Sequence, residues 1–166
     1  GVMYTFPLGD SLTAFVGDNT DGSALFTTAC AYGGPSNTLD DCGNVNAGIT
    51  GGGTAAGASY DFDNGLTVAF GYAGTSSDDS GATGLGTNEG MDAYGLNAAY
   101  SADSYGFSVT YGSTETSSTN EDTFTAFNAY YTLEDLGSIS VGYEVGEVGG
   151  AADIEDKKTS YFLGLE

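Results

Sequence analysis

The sequence predicts an all-β chain, an antiparallel up-and-down transmembrane β-barrel with about nine strands visible as part of a larger barrel. Three observations lead to that class. Large apolar and small residues alternate with a period of two from end to end. Tight and long connections between these segments also alternate. The small-residue side carries too little charge for a soluble exterior.

The strands are read at about 2–8, 12–17, 57–62, 66–73, 93–100, 106–112, 123–133, 138–145 and 159–165, and no long segment has helical periodicity. On 66–73, Leu66, Val68, Phe70 and Tyr72 alternate with Thr67, Ala69, Gly71 and Ala73. On 93–100, Tyr94, Leu96, Ala98 and Tyr100 alternate with Ala93, Gly95, Asn97 and Ala99. On 106–112, Phe107, Val109 and Tyr111 face away from Gly106, Ser108, Thr110 and Gly112. Ile139, Val141, Tyr143 and Val145 likewise oppose Ser138, Ser140, Gly142 and Glu144, and Tyr161, Leu163 and Leu165 oppose Ser160, Phe162 and Gly164.

The connections "LGDS", "DNG", "SADSY" and "LEDLGS" are tight. The others are long, so residues 1–166 form one partial barrel domain with long loops at about 17–56, 74–92, 113–122 and 146–158. In an up-and-down sheet, alternate connections share an end. All tight turns then sit at one end and all long loops at the other, as in outer-membrane barrels with periplasmic turns and extracellular loops. "DNG" at Asp63–Gly65 is expected to form a type I′ hairpin turn, which needs φ > 0 at both central residues.

A soluble barrel would put its apolar rows inside and charge outside. Here the large rows are expected to face outer-membrane lipid. Thr67, Asn97, Ser108, Thr110, Ser140 and Glu144 are expected to line water. Glu144 either biases ion selectivity from the lumen or sits near a rim. Tyr72, Tyr100, Tyr111 and Tyr143 suit an aromatic girdle; the alternative is cross-strand pairing in a soluble sheet. Most expected strands are shorter than the ~9–11 residues of a span, a gap that continuation into the loops would close. An odd strand count and a chain opening on Gly1 rather than Met point to a longer polypeptide; closure by several chains is the alternative.

Composition removes several function classes. The 166 residues include 28 Gly, 12 Tyr and 9 Phe, no Trp and no His. Lys157 and Lys158 are the only two basic residues, and the formal net charge is -21. Without imidazole there is no histidine base and no histidine zinc ligand. Without a basic patch nothing grips phosphate, so no nucleic-acid partner is expected. No Ser/His/Asp or Cys/His set exists, and no enzyme activity is expected. "GLGTNEG" opens no helix and is no phosphate loop.

The longest loop holds Cys30 and Cys42, expected as a disulfide of an oxidising compartment, with a free thiol pair as the alternative. Acidic residues concentrate in the long-loop set: Asp18, Asp21, Asp40, Asp41, Asp78, Asp79, Glu89, Glu121 and Asp122 among them. They form either an electrostatic funnel for cations, a loop site for calcium, or plain solvated charge. "DNTDG" at Asp18–Gly22 is similar to a calcium loop but lacks the distal Glu, and no other cofactor is expected.

The stretches "YTFPLGDSLTAFVGD", "DNTDGSALFTTACAYGGPSNTLDDCGN", "ASYDFDNGLTVAFGYAG" and "KKTSYFLGLE" resemble the cyanobacterial outer-membrane porins, related to carbohydrate-selective porins and often labelled iron-uptake porins. The resemblance covers most of the chain through degenerate β-barrel phrases. It implies passive diffusion of small solutes and ions through a barrel in the cell outer membrane, often a homotrimer. Members usually carry an N-terminal S-layer-homology segment and coiled coil, neither of which stands in this sequence. No selectivity site transfers by residue, since the family has no short motif for one. Two other readings stay open. One is a non-pore structural or adhesive surface β-protein with acidic, calcium-binding loops. The other is a secreted glycan-binding or hydrolytic β-sandwich with a tyrosine-lined cleft.

Overall fold

A computed structural model describes residues 1–31, 42–44, 46, 47, 49, 53–75, 84–87, 90–117, 120–149 and 156–166 of the chain. The described residues form one nine-stranded sheet with its strands in chain order and no helix. The strands are β1 (Val2–Pro7), β2 (Leu12–Asp18), β3 (Thr54–Asp61), β4 (Leu66–Gly74), β5 (Asp92–Ser101), β6 (Tyr105–Ser117), β7 (Asn120–Leu133), β8 (Gly137–Val148) and β9 (Asp156–Leu165). Every neighbouring pair is antiparallel, and β1 and β9 are the edges. Each strand expected from alternation is present.

The expected boundaries hold at the tight-turn end and move at the other. The loop expected at 113–122 is instead mostly strand: Ser113 pairs with Thr123, Thr114 with Asp122 and Glu115 with Glu121, before a bulge between Glu115 and Ser117. Thr-rich sequence extends a ladder as readily as apolar sequence does, because β-branching suits the pleat whatever the polarity. The strict tight–long alternation of connections therefore breaks here, and β6–β7 is a tall hairpin rather than a long loop. The same extension lengthens β8 to 12 residues and β7 to 14. From β4 onward the strands run 9 to 14 residues, the length a membrane span needs, whereas β1–β3 have 6, 7 and 8.

The "DNG" turn also differs from expectation. Positive φ occurs at Asp63 (57°) and Gly65 (89°) but not at Asn64 between them, which rules out type I′. Side chains complete this three-residue turn: the Asp61 carboxylate accepts from the Asp63 N–H at 2.9 Å, and the Asn64 amide oxygen accepts from the Leu66 N–H at 3.1 Å. These Asx bonds substitute for the missing primed geometry.

Alternation assigns the two faces as expected. On the outer face Val68, Phe70, Leu96, Phe107, Phe127, Val141 and Leu163 are exposed, Phe107 at 55% and Leu163 at 69%. Leu66 and Tyr72 lie in the same row, half-buried by neighbours. Tyr72 opposes Tyr94, with Tyr111 6.5 Å from Tyr94, at the long-loop end. Tyr100 stacks on Phe107 at 5.4 Å, and Tyr105 opposes Tyr131, at the tight-turn end. Tyr143 departs from the expected girdle: because β8 is longer than expected, it sits mid-strand against Phe127 and Tyr161. On the inner face Ala69, Ala73, Ala93, Ala99 and Ala126 are fully covered.

Candidate functional site: the inner face and its strap

Small residues let another backbone approach closely, and the inner face is paved with them. Gly57, Gly71, Gly95 and Gly112 oppose one another in successive registers, making a glycine row across β3–β6. A methyl group on Gly71 would fall 1.9 Å from the Gly22 carbonyl oxygen, and one on Gly142 would fall 1.6 Å from that of Cys42. What lies against this face is the connection between β2 and β3. Its described residues form a strap of two passes, with residues 32–41, 45, 48 and 50–52 outside the described residues.

The outgoing pass crosses the sheet from β4 towards β8. Gly22 rests on Gly71, and the Phe26 ring lies beside Gly71 and Gly95. The Asn97 amide then takes the strap backbone as a neighbouring strand would. Its oxygen accepts from the Thr27 N–H at 2.9 Å, and its nitrogen donates to the Thr27 carbonyl at 3.0 Å. The Ala29 N–H donates to the Ser108 hydroxyl, and the Ala31 N–H to the Ser140 hydroxyl, each at 2.9 Å.

The returning pass begins where the Asn128 amide donates to the Cys42 carbonyl at 2.5 Å. The Asn44 amide nitrogen reaches Thr28 of the other pass and Thr110 of the sheet, both at 3.4 Å. Asn46 and Ala47 meet Glu144. The Asn46 side-chain nitrogen donates to Oε1 at 2.6 Å, while the Asn46 and Ala47 N–H groups donate to Oε2 at 2.8 and 2.9 Å. At the base, the Asn19 N–H donates to the Gly53 carbonyl at 2.8 Å. The Cys30–Cys42 disulfide joins the two passes, as expected, with the Cα atoms 6.3 Å apart.

Apolar packing adds to this. Phe15, Ala55 and Ala73 cluster with Leu25 of the strap, and Phe124, Ala126 and Val148 with Ala47. The buried core therefore lies between sheet and strap. The buried polar side chains bond across the seam through most of their atoms, and only the amide oxygens of Asn44 and Asn128 are left unpartnered among the described residues.

Of the expected water-lining residues, Asn97, Ser108, Thr110, Ser140 and Glu144 share the inner face, but the strap buries them. Asn97, Ser108, Ser140 and Glu144 hold strap backbone and Thr110 accepts from the Asn44 and Asn97 amides, so none of the five lines open water. Thr67 is half-buried, nearer the tight-turn end of β4 than Gly71, where the strap crosses. Among the acidic residues, Asp18 ends β2 and Asp21 opens a turn accepting from the Ala24 N–H. Asp122 accepts from the Gly149 N–H at 3.0 Å, and Glu121 accepts from the Ser113 hydroxyl. Asp40, Asp41, Asp78, Asp79 and Glu89 lie outside the described residues. Among the described residues no group of three or more His, Cys, Asp or Glu could hold a metal ion.

Sequence reasoning missed Asn128 and the strap's own Asn44 and Asn46. The glycine row was the available signal, since glycine inside a strand marks a close backbone approach. No protein-family model and no curated protein matched the chain.

Proposed function

We propose that this chain is a section of the wall of an outer-membrane porin, which lets small solutes and inorganic ions diffuse passively. One observation carries the reading. The sheet turns its large apolar side chains outward, while its inner face is built mostly of small residues and neutral polar groups and carries little charge. Scattered exposed apolar residues are ordinary on soluble proteins, but a continuous face of them marks an interface. Its two tyrosine rows, at opposite ends of β4–β6, suit a lipid boundary. The resemblance to cyanobacterial porins points the same way and suggests a trimer. In lipid the edges β1 and β9 need partners, and further strands of a longer chain would supply them. The strap then stands inside the bore. Acidic residues at the long-loop end weight entry towards cations.

Vesicle insertion tests this. The protein should need detergent for solubility, resist carbonate extraction and migrate differently on gels when heated. Full-length protein should conduct in planar bilayers, with cation preference under a KCl gradient. A freely soluble monomer would instead favour the non-pore surface protein.

A further inference from the structure

We infer that Glu144 is a positioning residue: it latches the returning pass of the strap to β8, so it sets the width of the passage rather than its charge selectivity. The effect on width rests on the porin reading; the latch itself stands on the contacts alone.

Glu144 is the one acidic side chain among the described residues buried to 1% exposure. Burying a carboxylate is costly unless it is paired or saturated with hydrogen bonds. Of the two lysines, Lys157 lies 4.0 Å from Glu147 at the exposed rim. Lys158 is exposed and pairs by backbone register with Gly146. Glu144 itself opposes Ala126 on one side and Ser160 on the other, both neutral. Strap dipoles balance its charge instead. Two consecutive backbone N–H groups converge on Oε2, an arrangement suited to anions, and the Asn46 amide caps Oε1.

The other anchors differ in kind. Asn97, Ser108, Ser140 and Asn128 are neutral, and hydrogen bonds to a charged group are about twice as strong as neutral ones. The disulfide ties pass to pass and leaves the strap's attachment to the sheet unchanged. Glu144 is therefore the strongest single link between strap and wall. With both oxygens occupied, its carboxylate is not presented to a passing ion.

Hydrogen exchange and conductance on the full-length protein test the two halves separately. In Glu144→Ala, exchange at the Asn46 and Ala47 amides should speed up by about tenfold or more, through local opening. Glu144→Gln should give a smaller increase, since its amide oxygen still accepts from the strap and only its NH2 end meets strap donors. Asn46→Ala, which leaves the sheet untouched, should move in the same direction by a smaller step and serves if the Glu144 variants fail to fold. Single-channel conductance should rise in that order, while the reversal potential in a KCl gradient stays near wild type. Unchanged strap exchange in Glu144→Ala and Asn46→Ala overturns the latch. A shifted reversal potential without faster exchange makes Glu144 a selectivity charge and also overturns it. Faster exchange in a protein that never conducts leaves the latch standing and removes the porin reading.

Discussion

The outer and inner faces of the sheet come from the same strands, residue by alternate residue, yet they solve opposite problems. The outer face carries Phe70, Leu96, Phe107 and Leu163 with nothing of the described chain covering them. The inner face carries Gly71, Asn97, Ser108 and Glu144, and each is occupied by strap backbone. In a soluble sheet the large residues would be the covered ones. Here smallness and hydrogen-bonding capacity mark the covered side, because what covers it is a strap whose backbone comes into direct contact, with a few of its side chains such as Phe26 and Leu25 packed beside it.

The largest expected effect lies on the outer face. Leu96→Arg should cost about 2–4 kcal/mol of stability in lipid vesicles, the penalty of a cation near the bilayer midplane. Denaturant titration in vesicles measures it; a loss within 0.5 kcal/mol (about the scale of a neutral surface change) would break the lipid assignment. Cys30→Ser should cost about 3 kcal/mol, through freed unfolded-state entropy across the bridge. The same titration with and without a dithiol should show wild type losing that increment and the variant losing none.

On the inner face, Gly71→Ala should destabilise by about 1–3 kcal/mol, because its methyl meets the strap carbonyl and forces a shift. Gly9→Ala supplies a contrast, since nothing lies within 4 Å of that site and the cost there arises from its positive φ of 86° alone. Equal strap protection in wild type and Gly71→Ala, by hydrogen exchange, would remove the close approach from the comparison. The smallest effect belongs to the rim. Lys157→Ala should cost less than about 1 kcal/mol, since its 4.0 Å pair with Glu147 is exposed on both sides. A larger loss by the same titration would show that the rim is less solvated than its exposure indicates.

The strands were legible because alternation is local: Leu66–Tyr72 states its own two faces without reference to any partner. Their long-loop ends were not. In 113–117 the residues are Ser, Thr and Glu, and a polar ladder has no apolar row to announce it. The candidate site was half legible. Asn97, Ser108, Thr110, Ser140 and Glu144 were picked out as one face, and the structure keeps them together. Their role changed because a side chain's facing is fixed by its own strand, whereas its partner is fixed by a loop far away in sequence. Asn97 and Thr27 are separated by 70 positions, and Glu144 and Asn46 by 98.

The sequence by itself determined the all-β class, the number of visible strands and the outward rows, and it singled out Cys30 and Cys42 as a pair without choosing between a disulfide and free thiols. Each follows from periodicity or from two cysteines sharing one loop. Only the tertiary structure decided that the β2–β3 connection lies across the small-residue face and that Glu144 is spent on holding it. Alternation records the size of the residue beside a neighbour but not what that neighbour is. Water and a polypeptide backbone both fit against glycine and serine, and the choice between them is made by long-range hydrogen bonds that leave no local period.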